Sequence, residues 1–277
     1  MTLSHQLAIM TFNNQLRNAD MRIATWNVNG LRARLEYITK WLEDRQPDVV
    51  GFQELKTPDD VFPIDHFKEL GYEALVHGQK SWNGVAILSK HPAQLVHTGL
   101  AGQSEVGSRL ITADIDGKFE FTTVYCPNGK NLEHADYAGK LGWYDSLNKQ
   151  WQSGKKGPRI ICGDFNIVPE PIDGWKGEAA DGGIFHTKEE RARLQSLMDT
   201  GLTDLYRHLY PEEQAFTWWD YRGGSFHRKH GLRIDFILAT EGVDAVTKDV
   251  VIDRDYRRKI DELTPSDHAP VYADIDF

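Results

Sequence analysis

Cysteine is scarce in this chain. Only Cys126 and Cys162 occur in 277 residues, far apart and each inside an apolar run. That excludes a disulfide framework and any zinc-type cysteine spacing. Both read as buried free thiols, which places the chain in a reducing compartment, by default the cytoplasm. Long apolar runs are missing as well. None could cross a membrane, and the longest near the start, Leu7 to Met10, is too short for a signal-peptide core. There is no Walker loop and no Gly-x-Ser-x-Gly turn, which removes P-loop nucleotide hydrolysis and the serine-hydrolase elbow. No repeat of 20–50 residues is visible. Positive charge is in deficit: the net charge is -9, which argues against indiscriminate nucleic-acid binding. It leaves open a site of clustered acids around a bound cation. Basic residues gather in only two stretches, 222–233 and 254–259.

What is present is a repeated device. Ile160, Ile161 and Cys162 form a short run suited to a strand buried on both faces. Gly163 ends the run, and Asp164 and Asn166 follow. A spacing of two on extended backbone would put both side chains on one face, although an Asx turn explains the same letters. The chain does this again elsewhere. Residues 21–30 read as a strand whose end carries Asn27 and Asn29. Residues 48–54 read as a buried strand ending at Glu54. Residues 108–115 and 118–125 read as a hairpin around Asp116-Gly117 that delivers Tyr125 to a strand end. Residues 232–238 read as an apolar strand with Asp235 in its middle, where a carboxylate is costly unless paired. Asp267 and His268 sit in a turn before the last strand.

Helical spacing covers residues 31–44, 136–152 and 188–200, the second with Tyr137, Leu141, Tyr144, Leu147 and Trp151 on one stripe. Gly201 is placed to stop the third. Residues 169–183 form a long loop rich in Gly, Pro and Asp, and loops of that length are often functional. Residues 1–20 lack periodicity and read as a tail. Residues 21–277 read as one α/β domain.

The strand-end groups Asn27, Asn29, Glu54, Tyr125, Asp164, Asn166, Asp235, Asp267 and His268 make a hard, oxygen-rich set. Such a set suits Mg²⁺ or Mn²⁺ rather than zinc. With one cation it becomes a site for phosphoester hydrolysis.

Seven segments then carry a resemblance. They are Trp26-Asn27-Val28-Asn29-Gly30-Leu31-Arg32, Gln53-Glu54-Leu55-Lys56, Tyr125-Cys126-Pro127-Asn128-Gly129 and Gly163-Asp164-Phe165-Asn166, followed by Trp218-Trp219-Asp220-Tyr221-Arg222, Gly231-Leu232-Arg233-Ile234-Asp235 and Ser266-Asp267-His268-Ala269-Pro270. In this order they resemble the exonuclease III family, which contains Mg²⁺-dependent 3′-to-5′ exonucleases and apurinic/apyrimidinic endonucleases of base excision repair. The resemblance implies a DNase I-like four-layer sandwich, with two face-to-face mixed sheets flanked by helices. It implies a monomer acting on duplex DNA at abasic sites or at recessed or blocked 3′ ends. Roles are implied too. Glu54 ligates the metal, with Asp267, Asn29 and Asn27 assisting. Asp164 activates water, Asn166 holds the phosphate, Tyr125 reaches the scissile phosphate, and Asp235 orients His268. Arg109 and Asn128 meet DNA phosphates, while Trp218, Leu232 and Ile234 wall a pocket for a flipped-out abasic sugar.

Three departures stand out. Asn29 replaces an Asp of some relatives, and Leu232 replaces a Trp. The segment Phe185-His186-Thr187-Lys188 lacks the Pro often found before Glu-Glu-Arg. That loop is expected to set the balance between abasic-site cleavage and 3′-end trimming. The alternatives are a 3′-end processing exonuclease with little abasic-site endonuclease activity, then a small-molecule phosphodiesterase of the wider superfamily or a DNA-binding module without catalysis.

Overall fold

The computed structural model describes residues 20–276. The expected tail lies outside these residues, save for Asp20, which opens the first strand. The first sheet holds β1 (Asp20–Asn27), β2 (Val49–Gln53), β3 (Glu73–His77), β4 (Val85–Ser89), β11 (Thr247–Ile252) and β12 (Val271–Asp276), in the order β11-β12-β1-β2-β4-β3. The second holds β5 (Ala93–Thr98), β6 (Leu110–Ile115), β7 (Phe119–Tyr125), β8 (Arg159–Asp164), β9 (Leu202–Asp204) and β10 (Asp235–Thr240), in the order β5-β6-β7-β8-β10-β9. Each sheet has one parallel pair at its centre, β1 with β2 and β7 with β8, and antiparallel neighbours outside.

Alternation along the strands builds the layers. Ile23, Val49, Ile87, Ile111, Phe121, Ile160, Ile237 and Ala273 fill the space between the sheets. Trp26, Phe52 and Leu88 point outward from the first sheet, onto Tyr37, Ile38 and Trp41 of helix α1 (Leu35–Arg45) and Phe67 of α2 (Ile64–Glu69). Ile161, Phe236 and Leu238 point outward from the second, onto Trp143 and Leu147 of α3 (Ala135–Ser153) and Leu194 and Leu197 of α4 (Lys188–Met198). A short helix, α5 (Leu205–Leu209), follows β9. The expected four-layer arrangement is the one observed. No helix among the described residues is long and apolar enough to cross a membrane.

The two sheets approach closely at Gly51 of β2. A Cβ on Gly51 would lie 2.5 Å from the Thr123 side chain of the facing sheet, so only glycine fits there. Beside it, Gln53 donates to Thr25 and to Thr123 at 2.8 and 2.7 Å, tying the layers together with a buried polar plug. Both parallel pairs end at one rim with Asn27, Gln53, Tyr125 and Asp164. Antiparallel β10 and β12 begin there, just after Ile234 and Pro270.

Three expectations change. The central strand does not stop at Gly163 but runs through Asp164. A Cβ on Gly163 would sit 2.0 Å from the Val124 carbonyl oxygen, so glycine serves the close strand contact rather than a turn. Asp235 is the first residue of β10, not its middle. On α3 the buried stripe is Lys140, Trp143, Tyr144, Leu147, Asn148 and Trp151. Leu141, expected inside, is only half-buried, and a lysine takes the inner position.

Candidate active site

At the rim, the backbone leaves its strands through one repeated turn. Asp164 Oδ1 accepts the Asn166 N–H at 2.9 Å, Asn27 Oδ1 accepts the Asn29 N–H at 3.0 Å, and Asn128 Oδ1 accepts the Lys130 N–H at 3.0 Å. In each case the residue two positions on takes a left-handed conformation, with φ of 50° at Asn166, 46° at Asn29 and 57° at Lys130. Asn and Asp make this turn cheaply because the side chain replaces a backbone acceptor. The extended geometry expected to align Asp164 with Asn166 is therefore replaced by an Asx turn. Glu54 and Lys56 are also left-handed, both at φ 54°. For such residues the conformation costs about 1–2 kcal/mol. Backbone bonds on both sides hold it: the Gly30 N–H donates to Glu54 O at 2.7 Å, and the Leu55 N–H donates to Gly84 O at 3.1 Å.

These turns bring the acids together. Glu54, Asp164 and His268 each offer a ligand atom, all within 4.8 Å of one another. Asn27 Nδ2 bridges the two carboxylates, donating to Glu54 Oε1 at 2.8 Å and to Asp164 Oδ2 at 2.9 Å. It therefore orients carboxylates, and its amide nitrogen is not a ligand. Asn29 Nδ2 donates to Asp267 Oδ1 at 2.8 Å, and the Trp218 indole donates to Asp267 Oδ2 at 3.0 Å. His268 Nδ1 lies 2.9 Å from Asp235 Oδ2, and its Nε2 lies 3.8 Å from Asp164 Oδ2. Asp235 thus has the partner its burial requires. The loop before β12 is fixed from the first sheet, since Ser266 Oγ donates to Asn27 O at 2.7 Å and the Trp26 indole donates to His268 O at 3.1 Å.

Electrostatics follow from this packing. Burial pushes the Asp164 carboxyl up to about 7; Asp235 and Glu54 add to the rise, while His268 and the Asn27 bond oppose it. Burial alone would lower His268, but Asp235, Asp164 and Asp267 reverse that and carry it to about 10, so it is an imidazolium at neutral pH. Burial would raise Asp267, but His268 and the Trp218 and Asn29 donors outweigh it and hold it below its ordinary range. Burial, then Glu54 and Asp164, push the Tyr125 phenol well up, so it is a neutral donor.

The donor set fits a hard divalent cation. Glu54, Asp267 and Asn29 carry oxygen donors, and Asn29 links them: its Nδ2 donates to Asp267 Oδ1 at 2.8 Å, and its Oδ1 shares the Lys56 ammonium with Glu54. Lys56, which the sequence reading left without a role, places its ammonium 2.9 Å from Glu54 Oε2 and 2.5 Å from Asn29 Oδ1. A cationic group thus already finds these two oxygens attractive. His268 completes the geometric trio, with Nδ1 engaged by Asp235 at 2.9 Å.

The outer residues are placed less uniformly. Asn166 is buried, and its Nδ2 donates to Cys126 O at 3.0 Å; exposed Asn128 reaches Asn166 Oδ1 at 3.4 Å. Arg109 is half-buried, donates to Val106 O and Tyr125 O at 2.9 and 3.1 Å, and lies over the Tyr125 ring. Its contacts brace Tyr125. Trp218 and Leu232 line a cavity of about 570 Å³ with Trp175, Gly182, Ile184 and His186. Ile234 does not line it. It lies beneath, in an apolar cluster with Val168 and Leu232 against which Phe185 and Trp218 pack.

Comparison with known proteins follows the same outline. Residues 24–268 match the model of the Endonuclease/Exonuclease/phosphatase family. The chain is 36% identical to exodeoxyribonuclease III of Haemophilus influenzae over 269 residues, covering 92% of this chain and 100% of that one. A 3′ phosphatase from Neisseria, solved with a product DNA hairpin, superposes with a TM-score of 0.88 at 38% identity, covering 93% of this chain and 100% of that one. An AP endonuclease from Archaeoglobus fulgidus superposes equally well, TM-score 0.88 at 32% identity, with coverage of 93% and 100%.

Proposed function

The chain belongs to the Endonuclease/Exonuclease/phosphatase family, and from that premise we propose that it is a divalent-metal-dependent DNA-repair nuclease, using Mg²⁺ or Mn²⁺, that hydrolyses phosphoesters of duplex DNA at 3′ ends and abasic sites. The observation that carries this reading is the convergence of Glu54, Asp164 and His268 at one rim, with each Asp164 oxygen held by a fixed donor. Glu54, Asp267 and Asn29 would hold the cation, which would supply Lewis-acid polarisation of the phosphate and offset the crowded acids.

Everything else is side-chain work. Asp164 takes a proton from the attacking water, a task suited to a carboxyl pushed up by burial. Asn27 and the Asn166 N–H fix the direction of its two oxygens. The water oxygen bonds to phosphorus as the bond to the 3′ oxygen breaks. At an abasic site this leaves a 3′-hydroxyl and a 5′-deoxyribose phosphate. The Asn166 amide and the His268 imidazolium neutralise charge growing on the phosphate. The neutral Tyr125 phenol donates to the same group, with Arg109 bracing its ring. Asn128 meets a flanking phosphate. Among the described residues one chain supplies all of these groups, so we read the monomer as sufficient.

A second, narrower reading makes 3′-end processing dominant and abasic-site nicking minor. The His186 side chain in the cavity lining beside Trp218 and Leu232 favours it, because a flipped-out sugar would have to share that space.

Two labelled duplexes separate the readings, one with an internal abasic-site analogue and one with a recessed 3′-phosphate. Each is incubated with Mg²⁺ and with EDTA. Nicking at the analogue as fast as 3′ processing supports the broad reading; 3′ processing alone supports the narrow one. Activity on neither, or activity that survives EDTA, overturns both.

A further inference from the structure

Lys140 has no part in the chemistry above, yet it is wholly buried, the first residue of the α3 inner face. A lysine ammonium has three N–H donors, and here all three are used. One reaches Glu190 Oε1 at 2.5 Å, one reaches Asn166 O at 2.6 Å, and one reaches Asn128 O at 3.3 Å. The pair with Glu190 is completely inaccessible on both sides. Glu190 Oε2 meanwhile accepts the Thr187 N–H and hydroxyl at 3.0 and 2.9 Å, closing the capping box of α4.

A buried ion pair seldom adds stability over an apolar pair of similar volume. Glu190 alone would balance the charge of Lys140. The two remaining donors go to the carbonyls of Asn166 and Asn128, residues at or beside left-handed turns. Asn166 holds φ 50°, and Lys130, just beyond Asn128, holds φ 57°. One turn further along α3, the Tyr144 hydroxyl donates to the carbonyl of Phe165. The same helix face therefore grips two successive carbonyls of the loop carrying Asn166. At its start, the Tyr137 hydroxyl meets the Thr187 hydroxyl at 2.8 Å.

We propose that Lys140 is a positioning residue, which through Asn166 O and Asn128 O sets the amide that holds the phosphate and ties it to the 185–190 segment through Glu190. This rests on the reading of Asn166 as the phosphate-holding amide. The ammonium does not touch the phosphate; it fixes the turn that aims Asn166. Misplacing such a group by about 1 Å can cost on the order of 100-fold in rate.

Lys140→Met alone strands Glu190 as a buried unpaired charge and is expected to unfold the chain in part. The informative variant is Lys140→Met/Glu190→Gln, which removes both charges and keeps an acceptor for the α4 cap. Its Tm is compared with wild type, and kcat and KM are measured with Mg²⁺ on the duplex that wild type turns over faster. The same pair of changes is then made in an Asn166→Ala background.

Expected are a Tm close to wild type, a kcat lowered roughly 10- to 100-fold, a KM little changed, and no further loss once Asn166 is alanine. A double variant with wild-type kcat overturns the proposal. So does a loss of the same factor in the Asn166→Ala background, because Lys140 would then act elsewhere. So does a loss of Tm that accounts for the loss of rate. If Asn166→Ala alone turns over at the wild-type rate, the phosphate role of Asn166 falls, and this proposal falls with it. That failure is read from the single variant, separately from the Lys140 arms.

Discussion

Asp164 is the residue on which turnover should depend most steeply. Asp164→Asn keeps the volume of the side chain and removes the proposed proton acceptor, at the cost of turning an NH2 toward one of the two donors that held its oxygens. Turnover should fall by about 100- to 10,000-fold, while duplex affinity, followed by fluorescence anisotropy, stays within a few-fold. Equal turnover would take Asp164 out of the mechanism. His186 is a second informative residue, because its effect runs through stability. Burial holds its imidazole below the ordinary value, against a rise from the Ile184 carbonyl, so it folds neutral. A lowered folded value means that the unfolded chain takes up a proton first as pH falls. The stabilising contribution is therefore present above about 6.5, the unfolded value, and is lost as pH drops toward the folded one. Melts from pH 7.5 to 5 should show Tm falling less steeply for His186→Gln than for wild type. Parallel slopes would contradict the assignment. Sequence could single out His186 as unusual in its motif, but not its burial.

Among the elements, the loop between β8 and α4 shows how a segment without regular structure can be rigid. It contains two short 3-10 turns, Pro171–Asp173 and Gly177–Ala180. Asp173 at the first is fully buried and accepts from Arg233 and Arg207, both at 2.6 Å. Arg233 also donates to Asp204 at 2.6 Å. Asp173→Ala leaves Arg233 buried with one partner fewer, and should cost about 3–5 kcal/mol in urea unfolding. A cost near zero would mean that the loop relaxes around the change. Asp173 anchors the wall that carries Trp175 and Gly182, so the variant should also raise KM for duplex DNA. Sequence reading placed this loop but not its anchor. A 60-residue separation between Asp173 and Arg233 leaves no local pattern. The central strands were legible because each is a continuous apolar run between turn residues. Strand β5 was missed because it is a largely exposed edge, and β9 because three residues are too few to show a period. The polar convergence of Asn27, Glu54, Asp164 and Asp267 was legible for a different reason: every one sits where an apolar run meets a turn. Lys56 and Lys140 were not, because a lysine beside a glutamate or on a helix reads as solvated surface.

At the scale of the whole molecule, the site is a seam. Asn27, Glu54, Asp267 and His268 belong to the first sheet and its flanking turns, and Tyr125, Asp164 and Asp235 to the second. The chain carries a net charge of -9, and this seam concentrates part of it in a place water reaches poorly. A divalent cation on Glu54 would relieve repulsion across the seam and bind only the folded chain, so it must stabilise the fold by mass action. Thermal melts in EDTA and in rising Mg²⁺ at constant ionic strength should therefore show Tm climbing and then levelling at saturation. A hundredfold excess over the dissociation constant corresponds to about 2.7 kcal/mol. Sodium at matched ionic strength screens charge but has no site, so it should reproduce little of the rise. Glu54→Ala should begin from a Tm somewhat below wild type in EDTA, since buried Asn27 loses one of its two acceptors and Lys56 loses a partly exposed partner, and should respond weakly to Mg²⁺. A full Mg²⁺ response in Glu54→Ala would move the cation to another set of ligands. No response in wild type would mean that the cation arrives only with the DNA, whose phosphate would then complete the site.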